Sequence, residues 1–462
     1  MQNISIFGTS SDAGKSTLTW VIGRILQDAG YTVAPFKAQN VSNNAQVADD
    51  GSEIAVAQYF QAKVLGVPTS WHNNPVLLKS GRGSSASLIV GGKSVADKDL
   101  REYYQDLDSL KPIVKEAFKM LKKQYDCVIA EGAGSPVELN LMDKDLSNIF
   151  IATEFHTKII LVADIEKGGV FASIYGVYHL LPKALQANVI GVIVNKFRGD
   201  MGLFDEGVEI IEREFGIPVL GVLPYEPFNL GFEDAQSLMN YTQNCENSTR
   251  HVAVIAYPTI SNYTDFEPLL ADPNTCVEFI TANVDMSGFE CIILPGSKRV
   301  IEDLNWLKKT GLFRQIQTHH KAGKIYLIGI CGGYQMMHQR IVDNACIEVQ
   351  VPTSVEALGF IEGEIHFQKE KILKRHGDTY EIHHGTSTSY PNEYKSEKAY
   401  GTFSHGLFVD EWFKAYEKEH IDLFTKKMKS HLDVERIIKS VLGLQSKNGY
   451  ANHTFPATGA IL

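Results

Sequence analysis

Two short stretches of this chain have residue types and spacing suited to chemistry. The first is Gly8-Thr9-Ser10-Ser11-Asp12-Ala13-Gly14-Lys15-Ser16-Thr17, which follows the apolar run Ile4-Ser5-Ile6-Phe7 and opens a helical pattern. A turn between strand and helix aims backbone N–H groups and the helix dipole at phosphate oxygens, so Gly8, Thr9, Asp12, Ala13, Gly14, Lys15, Ser16 and Thr17 are expected to hold ATP. Within it Lys15 reaches the terminal phosphates and Ser16 ligates Mg2+. The second stretch is Gly329-Ile330-Cys331-Gly332-Gly333, where a cysteine flanked by small residues follows a continuous apolar run. That is the form of a nucleophile on a sharp strand-to-helix turn, where the helix N-terminus favours the thiolate.

Around the phosphate loop, several polar residues fall just past apolar strands, the edge at which parallel sheets place ligands. Lys37, in Pro35-Phe36-Lys37-Ala38-Gln39-Asn40, is a second cation for the transferring phosphoryl group. Glu131, in Ala130-Glu131-Gly132-Ala133-Gly134-Ser135, is a carboxylate placed to hold Mg2+. Asp49, Asp50 and Glu53 form an acidic group; Asp49 and Asp50 read equally well as acids at a turn and helix start. Asn195, in Asn195-Lys196-Phe197-Arg198-Gly199-Asp200, resembles the base-reading segment of P-loop proteins.

A thiol nucleophile needs a base, and His405, in Gly401-Thr402-Phe403-Ser404-His405-Gly406-Leu407-Phe408, follows Cys331 in the chain order of class I glutamine amidotransferases. Their usual third member, a glutamate two residues past the histidine, is replaced by Leu407. Asp410 or Glu411 could orient His405, or a Cys–His pair could suffice. Oxyanion donors are expected from Pro295-Gly296-Ser297-Lys298 and from Gly332. His383 and His384 are adjacent, so on a strand they face opposite ways and do not share a metal; His383 stays a candidate substrate contact.

The elements that must position these groups alternate strand and helix. Strands are expected at Tyr31–Pro35, Cys127–Ala130, Ile159–Ala163, Val189–Val194 and Val219–Leu223, and again at Val252–Ala256, Cys291–Leu294 and Ile325–Ile330. Continuous Val/Ile runs of this kind are buried on both faces, which gives an α/β fold: a P-loop parallel-sheet domain, then a glutaminase-like, flavodoxin-like α/β domain. The polar stretch around Asn240 to His251 divides the 462 residues into an ATP-dependent unit at 1–241, a linker at 242–251 and a glutaminase unit at 252–462. Net charge is -10, from 44 basic and 54 acidic residues, and no basic stripe stands out, so no nucleic-acid partner is expected. No charged segment with a following apolar run opens the chain, and no stretch approaches the roughly 18 apolar residues of a membrane span; the expectation is a cytoplasmic protein without a membrane partner. Six cysteines lack CxxC spacing, so neither disulfides nor a zinc site are indicated.

One departure in the phosphate loop is informative. Five residues separate Gly8 from Gly14, where the usual pattern has four and would put glycine at Thr9. This longer form resembles dethiobiotin synthetase and its relatives, which phosphorylate carboxylates or carbamates, and by that resemblance Glu53 joins Ser16 and Glu131 at the metal. Over nearly its full length the chain resembles the cobyric acid synthase family. The match is carried by the loop itself, Pro35–Asn40, Asn74-Pro75-Val76-Leu77-Leu78-Lys79, Glu131–Pro136, Gly168-Gly169-Val170-Phe171-Ala172, Asn195–Asp200, Leu294–Lys298 and the Cys331 and His405 segments.

The resemblance implies an ATP- and glutamine-using ligase that converts the b, d, e and g carboxylates of (adenosyl)cobyrinic acid a,c-diamide, a corrinoid, to carboxamides. Acyl phosphates and ammonia from Cys331 would be the means. Its sister, cobyrinic acid a,c-diamide synthase, shares that logic. A switch ATPase of the partitioning type would carry lysine where this chain has Ser10, and a ligase amidating a cell-wall lipid precursor would split the activities between two chains. A homo-oligomer stays open.

Overall fold

The computed structural model of the chain describes residues 1–80, 85–228, 230–231, 243, 245–246, 248–323 and 325–444. Within the expected 242–251 linker, residues 242, 244 and 247 lie outside the described residues.

The first unit is built on six parallel strands in the spatial order Val219–Pro224, Val189–Phe197, Lys158–Asp164, Ile4–Gly8, Cys127–Glu131 and Val33–Phe36. Ile4–Gly8 and Cys127–Glu131 are buried along their whole length, which is why the sequence there is continuously apolar and does not alternate. Helix Lys15–Asp28 leaves the central strand through the Gly8–Gly14 turn and buries Leu18, Val21, Ile22, Ile25 and Leu26 at helical spacing. The chain then turns at Gly30 with φ +90°, a conformation glycine adopts without steric cost.

The second unit repeats the plan. Parallel strands run in the order Thr275–Ile280, Arg250–Ile255, Cys291–Leu294, Tyr326–Ile330 and Ala399–Thr402, with Glu393–Lys395 antiparallel at the edge. Beside them a second sheet contains the long hairpin Ile361–His376 and Thr379–Ser387, the latter strand pairing with Ser404–His405.

Two features differ from the expectations. Helices Glu411–Lys429 and Val434–Leu442, counted by sequence with the 252–462 unit, bury their apolar faces in the core of the first unit. Phe424 lies 5.6 Å from Trp20 and 4.7 Å from Phe228 between ring centroids, and Gln2 N–H donates to Val441 O at 2.9 Å. An amphipathic helix announces its apolar face but not the core that receives it. Cys245 and Cys276, 31 residues apart, are joined by a disulfide, a pairing no local spacing signals.

The two units share a small apolar cluster. Ala45 and Val47 from one hairpin strand, with Ala55 from its partner, pack with Leu77 and Ile89 against Tyr380 and Ile382 of the glutaminase hairpin. Tyr380 of this cluster stacks on His405 with ring centroids 5.0 Å apart, and strand Glu53–Ala55 runs directly into helix Val56–Val64.

Candidate active site

The phosphate loop sits at the carboxyl edge of the central strand. Lys15 is buried and its ammonium folds back to donate to Ser10 O at 3.0 Å. This explains Gly8: a Cβ there would lie 2.6 Å from Lys15 Nζ and 2.7 Å from Ser10 O, so the longer loop needs a glycine one place earlier than the usual pattern. At the far side Asn195 Nδ2 donates to Ala13 O at 2.9 Å and braces the loop. Asp12 is exposed, with Lys167 at 3.8 Å.

Glu131 organises the groups around the loop. It is 1% exposed; Oε1 accepts from Ser16 Oγ at 2.7 Å and pairs with Lys37 Nζ at 2.7 Å. Its Oε2 accepts from Gln58 Nε2 at 3.2 Å and Gln61 Nε2 at 2.6 Å. Helix Val56–Val64, which carries both glutamines, gave no signal of this role in sequence beyond its position after the acidic group. The adjacent hydroxyl and carboxylate oxygens of Ser16 and Glu131 are the hard donors Mg2+ takes, so these residues fit a metal-nucleotide.

Glu53 is placed differently from the expectation. It is fully buried, but its oxygens are held by Lys79 Nζ at 2.7 Å and by Lys371 Nζ at 2.7 and 2.9 Å. Burial alone would raise its pKa; Lys371 and Lys79 outweigh it and hold the carboxyl far below its usual range. Through these two lysines Glu53 ties the joint between the units together. Lys371 comes from the glutaminase hairpin, 318 residues away, where sequence spacing carries no information. Replacing Glu53 with glutamine leaves buried ammonium groups facing each other; the expected loss is about 3–5 kcal/mol in urea unfolding at pH 7. Because the folded pKa is depressed, the Glu53 contribution is present above pH 4.5 and fades as pH falls below it, so wild type and variant should converge in acid. Asp49 and Asp50 shape the neighbouring turn, accepting from Thr69 N and Ser52 N.

In the second unit, Cys331 follows strand Tyr326–Ile330 with φ +49° and ψ -103°, a strained conformation for a non-glycine residue and the mark of a nucleophile turn. The turn fits because Gly333 approaches the next strand closely; a Cβ there would lie 1.9 Å from Leu294 O. The thiol is 6% exposed and donates to Ile382 O at 3.7 Å. His405 is fully buried and within hydrogen-bonding reach of the thiol.

The group that orients His405 is Asp265. Its Oδ2 lies 2.7 Å from His405 Nδ1, and its Oδ1 accepts from Gly406 N at 2.8 Å. Asp410 instead caps helix Glu411–Lys429 by accepting from Phe413 N, and Glu411 pairs with Lys414. Burial disfavours charge on His405, but Asp265 and then Cys331 overcome it and push the imidazole up to about 10. Asp265 was legible only as an acid in the loop region beyond a parallel strand, the edge where ligand-binding groups gather.

A cavity of about 290 Å³ lies between the units, lined by Lys79 of the first and by Cys331, Gln335, Lys371 and His383 of the second. Gln335 is 2% exposed, and its side-chain oxygen, among the described residues, has no hydrogen-bond partner, so it can accept from a ligand. His383 stacks on Phe403 and bonds through Nδ1 to Gly385 O at 2.7 Å, while His384 bonds to Gln368 O.

This pairing of sites agrees with the comparisons. Residues 4–229 match the CobQ/CobB/MinD/ParA nucleotide binding domain, and 251–412 match the CobB/CobQ-like glutamine amidotransferase domain. A protein named cobyric acid synthase from Acinetobacter baylyi is 54% identical over 96% of this chain and 99% of its own. The chain belongs to the cobyric acid synthase family. Further members include the probable cobyric acid synthase of Methanoculleus marisnigri, 38% identical over 88% of this chain and 87% of its own, and the cobyric acid synthase of Photorhabdus laumondii, 35% identical over 94% and 97%. Membership makes the chain a glutamine amidotransferase of the ligase class with a nucleotide-binding half. Among the described residues, no helix is long and apolar enough to cross a membrane.

Proposed function

We propose that the chain uses MgATP and glutamine to convert the b, d, e and g carboxylates of a cobyrinic acid a,c-diamide to carboxamides, in the cytoplasm and without a nucleic-acid partner. Family membership supports the substrate. One observation carries the mechanism: a Ser16–Lys37–Glu131 cluster beside a phosphate loop and a Cys331–His405–Asp265 triad occupy the two units of a single chain.

The glutaminase step runs through His405. Because Asp265 holds His405 as imidazolium, Nε2 already carries the Cys331 proton; the thiolate Sγ attacks the glutamine amide carbon, and the oxyanion faces the backbone N–H groups around Gly332. Imidazolium then gives its proton to the leaving nitrogen; ammonia departs, and water hydrolyses the thioester to glutamate. Asp265 stabilises the imidazolium throughout. Gln335 accepts from the bound glutamine.

In the other half, Ser16 and Glu131 would hold Mg2+, which when bound draws charge from the phosphate oxygens. Lys15 and Lys37 neutralise the transferring group, while Asn195 supports the loop. A substrate carboxylate oxygen attacks the γ-phosphorus and ADP leaves. Ammonia then attacks the acyl carbon and phosphate departs, giving the amide. Incubating the protein with cobyrinic acid a,c-diamide, ATP and glutamine should add four amides, counted by mass. A protein that instead amidates only positions a and c of cobyrinic acid is the sister synthase.

A further inference from the structure

His405 is held along an edge of its ring and over a face. On the edge, Nδ1 meets Asp265 Oδ2 at 2.7 Å. Over the face lies Tyr380, with ring centroids 5.0 Å apart and the two planes 22° from parallel. Both residues are buried, at 0% and 1% exposure.

The strand ladder makes this stack. Tyr380 and His405 stand directly opposite each other where Thr379–Ser387 pairs antiparallel with Ser404–His405, a spacing at which side chains on one face touch. The chain beyond His405 then stays close to the hairpin turn. Gly406 has φ +79°, and a Cβ there would lie 2.6 Å from Asp378 O. Its N–H donates to Asp265 Oδ1 at 2.8 Å, so the carboxylate on the edge and the ring over the face are set by one short stretch of backbone.

A hydrogen bond at one nitrogen leaves the imidazole free to tilt, because the terminal torsion of histidine is soft. A stacked neighbour removes that freedom. It also bears on charge, since the negative face of an aromatic ring attracts a cation, most strongly where water is excluded. The Tyr380 hydroxyl has no hydrogen-bond partner among the described residues, so this position uses the ring and not its polar tip. Burial, with Asp265 and Cys331 nearby, raises the phenol well above its usual range, so the ring stays neutral where His405 titrates. The charged and titratable groups around the pair are Asp265 on the turn Tyr263–Phe266, Cys331 after strand Tyr326–Ile330, and Arg375 and Tyr59 towards the phenol; the neutral amide of Asn262 lies beside Nε2.

We propose that Tyr380 is a positioning residue of the glutaminase: the face of its ring sets the plane of the His405 imidazole and favours its charged form, keeping Nε2 aimed at Cys331. The inference rests on the assignment of His405 as the group that holds and delivers the proton.

The test measures glutamate release by the full chain from neutral pH to beyond 10, with variants at position 380. Tyr380→Leu keeps much of the bulk and loses the aromatic face. Its kcat should fall about tenfold with KM little changed, and the alkaline limb should move down by about one pH unit. Tyr380→Phe should restore both, a rescue that a role for the hydroxyl would not give. Replacing Tyr380 by pentafluorophenylalanine keeps the shape and reverses the polarity of the face, so the limb should again move down; a role in packing alone would leave it in place. Alkylation of Cys331 by iodoacetamide, read on its peptide by mass, should keep its acidic onset in every variant, because the imidazolium is present on both sides of that step. Amidation driven by an ammonium salt reports whether a variant folds, and should Tyr380→Leu lose it, the fluorinated ring carries the same expectation. A limb that stays in place in a folded variant, a limb that moves as far in Tyr380→Phe, or an acidic onset that shifts overturns the proposal. In His405→Asn the onset of alkylation should rise to that of an ordinary thiol; an onset that stays low would instead refute the reading of His405 itself.

Discussion

Changing Cys331 to alanine should abolish glutamine-dependent amidation, by on the order of 10³-fold or more, and leave ammonium-dependent amidation near the wild-type rate. The loss follows because without Sγ no covalent acyl intermediate forms. The survival follows from the architecture. Cys331 stands on the turn after Tyr326–Ile330, while Lys15, Ser16, Lys37 and Glu131 are built on strands and a helix of the other sheet, so none depends on the thiol for its place. Alanine also fits the turn, since the neighbouring close approaches are made at glycines such as Gly333. The measurement is corrinoid amides formed with each nitrogen source at saturating ATP. Loss of both activities in a folded variant would contradict separate ammonia-generating and ammonia-using sites.

The groups that were legible in sequence are those whose partners lie within one turn. Gly8 to Thr17 and Gly329 to Gly333 each set a strand, a tight turn and a helix start in about ten residues, so their chemistry is written locally. Lys37 and Glu131 could be placed because each ends a continuous apolar strand, and parallel sheets gather ligand groups at that edge. Strand boundaries came within a few residues for the same reason: Cys291–Leu294 is as expected, and Lys158–Asp164 extends Ile159–Ala163 by one residue at each end.

What was not legible depends on pairs that only the folded chain brings together. The Lys371 that pairs with Glu53 arrives from a hairpin of the other unit. Leu407 announced a missing triad member, but the replacement, Asp265, lies 140 residues before His405 and reaches it only because strands Arg250–Ile255 and Ala399–Thr402 belong to one sheet. The last two helices show the same limit: Phe413, Phe424 and Met428 predict a buried face, and only the structure assigns it to Trp20 and the first core.

The largest effect outside the nucleophile is expected at Asp265. Asp265→Asn keeps the size of the side chain but removes the charge that holds His405 as imidazolium, so burial becomes the dominant influence and the imidazole pKa falls. A neutral ring stabilises neither the thiolate nor the proton that must reach the leaving nitrogen, and the amide can also hold the ring in the wrong tautomer. Glutamine hydrolysis should fall on the order of 10²–10⁴-fold in kcat, with KM little changed because Asp265 touches the ring and not the substrate. Ammonium-dependent amidation should persist. The pH dependence has a definite sign. His405 is raised from 6.5 to about 10 in the folded protein, so the stabilisation from its pair with Asp265 is complete below pH 6.5 and is lost as pH rises through about 10. The variant should therefore lose the most stability in neutral and acidic solution and approach the wild type above pH 10, and the alkaline limb of its residual glutaminase activity should move to lower pH. Thermal unfolding between pH 6 and 10, with a pH profile of glutamate release, measures both. A profile that keeps the wild-type alkaline limb would show that Asp265 does not set the protonation of His405.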